Sequence, residues 1–104
     1  MKFICALFLT LLCMQMVNAG DSNPTLISEI KWNHDGNKLA VGYSDGTFKI
    51  LQTSDMSIMF QQPIGDTFIS YFGWSYSGTK LAIGYYEDRI DIWDINNFSL
   101  INTI

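Results

Sequence analysis

An all-β chain that lays down one four-stranded antiparallel sheet twice is the fold class this sequence predicts, on three observations. First, the stretch from Ile27 to Leu51, ISEIKWNHDGNKLAVGYSDGTFKIL, returns from Ile69 to Trp93 as ISYFGWSYSGTKLAIGYYEDRIDIW. One step of about 42 residues carries Trp32 to Trp74, Gly36 to Gly78, Leu39 to Leu81, Gly42 to Gly84, Tyr43 to Tyr85 and Ile50 to Ile92 without a gap, and a period of about 40 to 45 residues is that of a propeller blade. Second, short apolar runs alternate with breaker-rich turns such as Asp35-Gly36 and Asp45-Gly46. Third, no segment after the N-terminal apolar run offers an apolar set at helical spacing with caps.

Met1 to Gly20 has the pattern of a secretory signal: Lys2 supplies the positive start, Phe3 to Cys13 an apolar run, and Val17-Asn18-Ala19 a small-residue end. Residues 1–19 are therefore read as a signal-peptide-like segment, too short for a membrane span, which needs about 20 apolar residues. On apolar content alone, a buried strand of a preceding blade over Phe3 to Leu12 is the alternative. Export predicts a secreted protein, and a retained segment a cytoplasmic one. Both cysteines, Cys5 and Cys13, lie in this segment, so a processed chain has no thiol.

Residues 20–25, GDSNPT, form a lead-in without periodicity. The first blade is assigned to residues 26–60, with strands over Leu26 to Trp32, Leu39 to Tyr43, Thr47 to Leu51 and Met56 to Phe60. Its turns are Asn33 to Asn37, Ser44 to Gly46 and Thr53 to Asp55. Residues 61–67, which hold Pro63 and Gly65, form the connection. The second blade, residues 68–104, repeats the order: Phe68 to Trp74, Lys80 to Tyr85, Arg89 to Trp93 and Phe98 to Ile104, with turns at Ser75 to Thr79, Tyr86 to Asp88 and Ile95 to Asn97. At these strand positions Trp32, Trp74 and Trp93, with Tyr43 and Tyr85, are expected in the core.

These residues resemble the WD40 repeat family. The likeness is carried by Trp32 to Gly36, Leu39 to Gly42, Asp45 to Leu51, and in the second copy Trp74 to Gly78, Leu81 to Gly84 and Arg89 to Asp94, where Trp93-Asp94 is the dipeptide that names the family. The tryptophan-led starts, Trp32-Asn33 and Trp74-Ser75, are also similar to WD40 segments of intraflagellar-transport subunits and of anaphase-promoting complex subunit 4. Leu51-Gln52 replaces the tryptophan-aspartate pair in the first copy, and the glycine-histidine dipeptide expected ahead of each blade is absent, with Gly65-Asp66 in its place in the second. In the family that histidine joins a turn aspartate, a strand hydroxyl and the tryptophan in one network. Asp45 matches the turn aspartate and Glu87 stands at the equivalent position, so the resemblance implies an incomplete network and blades held mainly by packing. It also implies a non-catalytic scaffold that binds protein partners, chiefly on the face formed by Ser44, Asp45, Gln61, Gln62, Asp66, Thr67, Tyr86, Glu87 and Asp88.

The family closes rings of about four to eight blades, so two blades leave outer faces rich in Ile, Leu, Phe and Tyr open. A longer propeller is the simplest expectation, and self-association into a closed ring the alternative. Formal net charge is −4, and no basic cluster offers phosphates a hold, which argues against nucleic acid as a partner.

No cofactor, metal or catalytic residue is assigned. His34 is the sole histidine and sits in a turn beside Asp35, whereas a metal site or a triad needs converging groups. Asp88 with Asp91, and Asp35 with Asp45, are the carboxylate pairs one would test for glycosidase chemistry, but hairpin geometry already favours aspartate at the turns. Asn97-Phe98-Ser99 is an N-glycosylation acceptor pattern, relevant only under export.

Overall fold

The computed structural model describes residues 25–63, 65 and 67–104; the signal-like segment, residues 20–24 of the lead-in and Asp66 lie outside them. Eight strands follow in order: β1 Ile27–Trp32, β2 Lys38–Tyr43, β3 Phe48–Gln52, β4 Ser57–Gln62, β5 Ile69–Trp74, β6 Lys80–Tyr85, β7 Ile90–Asp94 and β8 Ser99–Thr103. They form two four-stranded antiparallel sheets, β1-β2-β3-β4 and β5-β6-β7-β8, so each repeat is one meander. The register repeats as the sequence does. Trp32 faces Leu39 as Trp74 faces Leu81, and both first strands carry a bulge, at Ile27/Glu29 and at Ile69/Tyr71.

Turn chemistry explains the hairpins. Gly46 holds φ +89°, a left-handed conformation that costs a side-chain-bearing residue about 1–2 kcal/mol, and the Asp45 Oδ1 accepts the Thr47 N–H at 2.9 Å. The second copy places Asp88 at the equivalent position, at φ +71°. Strand β4 runs on through Gln61 and Gln62, which the sequence assigns to the connection, because both pair with β3, Gln61 opposite Lys49 and Gln62 opposite Phe48.

The core lies between the sheets. Ala40, Phe48 and Ile50 from the first sheet pack with Ile69, Phe72, Leu81, Ile83, Tyr85 and Trp93 from the second, and Phe60 and Phe98 stack at its margin with centroids 4.8 Å apart. Phe48 meets Trp93 edge-on at 5.3 Å, a favoured aromatic arrangement. Close approach is possible because β2 carries no side chain at Gly42. A Cβ there would stand 2.9 Å from Ile69 Cγ2 and 3.0 Å from the Phe72 ring. Two polar contacts cross the same seam: the Ser28 hydroxyl donates to the Ile69 carbonyl at 2.6 Å, and the Trp74 indole N–H to the Lys31 carbonyl at 3.1 Å.

Trp32 departs from the core expectation. It is 55% exposed, since its equivalent Trp74 is covered by β1 and no described strand stands in front of β1. Tyr43 is only half-buried for the same reason. The seam's geometry gives a direct test. Gly42→Val is expected to lower unfolding free energy in urea by about 1–3 kcal/mol, the usual cost of overpacking. Gly84→Val, whose Cβ would meet nothing nearer than the Tyr71 Cβ at 3.4 Å, is expected to cost clearly less.

Candidate functional site

At the end of the sheets where β2 turns into β3 and β6 into β7, the turns and the inter-sheet connection converge on one rim. The Gly46 Cα lies so close to the connection that an added Cβ would sit 2.9 Å from the Thr67 carbonyl and 3.1 Å from Gly65. Phe68 then stacks on Tyr86, centroids 4.8 Å apart, while the Tyr86 N–H donates to the Phe68 carbonyl. Ser44, Asp45, Thr67, Tyr86, Glu87 and Asp88 are thereby brought together. Gln61 joins them from the end of β4: with Thr25, Tyr43, Asp45, Thr47 and Lys49 it lines an open cleft of about 200 Å3. Gln62 pairs in the strand beside it and donates to the Pro63 carbonyl.

Tyr86 is 69% exposed although its ring rests on Phe68, so it presents an apolar face on a rigid support. Around it stand Glu87 and Asp88, both exposed. Asp88 keeps a left-handed backbone where the first blade has glycine, a strain that buys the position a carboxylate. The Asp45 carboxyl is held below the usual carboxylate range, chiefly by the Thr47 N–H.

The other carboxylates do not pair for catalysis. Asp35 and Asp45 sit in turns at opposite ends of β2. Asp91 is buried on β7, where it accepts the Thr103 hydroxyl at 2.8 Å and approaches Arg89 Nε at 3.5 Å, while Asp88 belongs to the exposed turn. Arg89 in turn covers the Tyr85 ring at 4.0 Å, and burial pushes the Tyr85 hydroxyl well above its ordinary range. This Tyr85-Arg89-Asp91 cluster was not signalled by the sequence, because Lys49 replaces Asp91 in the first repeat. His34 lies on the opposite rim against Tyr76, ring centroids 4.1 Å apart, and among the described residues no three His, Cys, Asp or Glu side chains converge.

Of the structural positions, Asp94 caps its own turn by accepting the Asn96 and Asn97 N–H groups. The buried Trp93 indole N–H finds no acceptor among the described residues, in keeping with the missing histidine. Asn97 is exposed in the β7–β8 turn and its amide oxygen accepts the Ser99 hydroxyl at 2.6 Å.

Comparison with known proteins places this geometry. The family described as the anaphase-promoting complex subunit 4 WD40 domain matches residues 7–77. The crystal structure of the Cps50 (Swd1) beta-propeller domain of Myceliophteria thermophila superposes with a TM-score of 0.72 at 21% identity, over 79% of this chain and 26% of that one. The C-terminal WD40 domain of Sif2 gives 0.73 at 16% identity, over 77% and 22%. A chain of the Mitotic Checkpoint Complex gives 0.70 at 23% identity, over 77% and 24%. These likenesses concern the fold, and this chain spans about a quarter of each of those chains. Among curated proteins, none matches the sequence.

Two outcomes are expected from the turns. The depressed Asp45 carboxyl stabilises the fold fully above its unfolded value of about pH 4, and that contribution is lost as pH falls through the lower folded value. Asp45→Asn keeps an acceptor for Thr47 but no charge, so its urea midpoint should fall less than wild type's on acidification from pH 7. Asp88→Gly should raise the unfolding free energy by up to about 1 kcal/mol, through relief of the left-handed backbone.

Proposed function

The chain belongs to the family of the anaphase-promoting complex subunit 4 WD40 domain, and from that membership we propose that it is a non-catalytic protein-interaction module whose docking surface is the rim around Tyr86. The observation that carries the proposal is the placement of an exposed tyrosine, braced by Phe68, beside Glu87 and Asp88 and on the same rim as the turn that holds Asp45. Tyrosine on a fixed backbone is a favoured anchor for protein contacts, because it supplies contact area with little conformational entropy to lose. The acidic surround suits a partner segment with lysine or arginine beside an apolar residue.

A secreted setting is the second reading. It rests on the signal-like pattern over 1–19 and on the exposure of Asn97. The family match begins at residue 7, within that segment. N-terminal sequencing separates the two: Gly20 at the start with sugar on Asn97 supports export, and a retained Met1 supports the intracellular scaffold.

The docking surface is tested by placing a photo-crosslinking amino acid at Tyr86 or, on the opposite rim, at Tyr76. Protein adducts are expected at Tyr86 alone, and Tyr86→Ala should reduce partner capture at least about tenfold, as loss of an anchor does, while lowering the unfolding free energy by no more than the about 0.5–1.5 kcal/mol of the lost Phe68 stack. Asp88→Gly should weaken capture while leaving the protein more stable. Adducts at Tyr76 only would refute this placement.

A further inference from the structure

The seam between the sheets has two unlike sides, and the repeat copies each side onto a face that the seam does not use. On the seam, β5 contributes the projecting Ile69 and Phe72, both fully buried, with the Trp74 indole as donor; β1 and β2 contribute the receiving Gly42 and Ala40, the Lys31 carbonyl and the Ser28 hydroxyl. One repeat step back, the projecting set becomes Ile27, Ile30 and Trp32 on the outer face of the first sheet. Those three are 62%, 52% and 55% exposed. They flank Leu39 and Val41, the equivalents of Leu81 and Ile83. One repeat step forward, the receiving set becomes Gly84, Ala82, the Gly73 carbonyl and the Ser70 hydroxyl on the outer face of the second sheet. The Ser70 hydroxyl shows the difference between an occupied and an open seam: it folds back onto the Gly84 carbonyl of its own sheet at 3.2 Å, whereas Ser28 reaches across to Ile69.

We infer that these two outer faces are the halves of one interface, and that a second copy of this chain stacks on the first by repeating the β1/β2-to-β5 contact, head to tail. In that contact Ile27 and Ile30 of one copy seat against Gly84 and Ala82 of the next, the Trp32 indole N–H donates to the Gly73 carbonyl, and the Ser70 hydroxyl turns to the Ile27 carbonyl. The contact stays apolar at the periphery, with a smaller pair. On the seam Phe48 meets Trp93, and the corresponding pair between copies, Ile90 and Leu51, exchanges two aromatic residues for two aliphatic ones. Such an interface is heterologous, so it propagates until the rotation closes. Rings of about four to eight blades then take about two to four copies. The inference does not rest on the docking rim, which lies at the strand ends and stays free in the stack.

The test is sedimentation velocity on the full chain with two single substitutions at exposed positions. Ile30→Glu disables only the projecting face and Ile90→Glu only the receiving one. Wild type is expected to run as an assembly of more than one copy, and each variant alone as a monomer. Their equimolar mixture should recover a dimer and nothing larger, because one intact pair of faces remains. Trp32→Arg replaces the first variant should Ile30→Glu lose the strand signal in circular dichroism. A folded wild-type monomer overturns the inference and assigns the projecting face to residues 1–24 or to a further repeat. Variants that assemble as wild type does, or a mixture that stays monomeric, overturn it too. The rim substitution Tyr86→Ala should leave the assembly unchanged.

Discussion

The seating of Ile69 and Phe72 against the bare backbone at Gly42 is the contact on which the rest of this structure depends. A four-stranded meander has two faces and can bury neither alone, so each sheet is stable only to the extent that something lies flat against it. Gly42 and Ala40 let the second sheet approach until two large apolar side chains are wholly out of water. At about 25 cal/mol per Å2, burial of such side chains contributes about 1.5–3 kcal/mol each, before the entropy of ordering them is set against it. The hydrogen bonds from Ser28 and Trp74 add direction more than energy, fixing which strand of one sheet lies over which strand of the other.

Function follows from the same contact. With the sheets clamped along β1, β2 and β5, the turns at one end have fixed positions, and residues far apart in sequence, Ser44 to Gly46, Thr67 and Tyr86 to Asp88, share one rim. Among the described residues the rim offers an aromatic face and carboxylates, with no acid, base and nucleophile brought together. Asp91, the buried carboxylate among the described residues, is engaged by Arg89 and Thr103. Such a surface suits recognition of a protein segment, and the proposal of a scaffold builds on that chemistry.

Much of this was legible in the sequence because a repeat doubles every signal. Strand order, hairpin turns and sheet number follow from the coincidence of Trp32 with Trp74, Gly42 with Gly84 and Asp45-Gly46 with Glu87-Asp88. Where the two copies occupy different surroundings, the sequence misleads. Trp32 and Trp74 are identical letters, yet one is bare and the other half-covered, since burial belongs to the neighbour and not to the residue. Gln61 and Gln62 have no apolar pattern to mark them as strand, and only pairing with β3 makes them so. Asp91 could be paired on paper with Asp88 because period-two alternation cannot show that Arg89 and Thr103 would meet it.

Hydrogen exchange of the three indole N–H protons, followed by NMR on the dilute chain, tests the stacking of the two sheets most directly. Slow exchange is expected for Trp93, which is buried, and for Trp74, which is bonded to the Lys31 carbonyl, and fast exchange for Trp32 alone. A Trp74 proton exchanging as fast as that of Trp32 would mean that the sheets do not lie against one another.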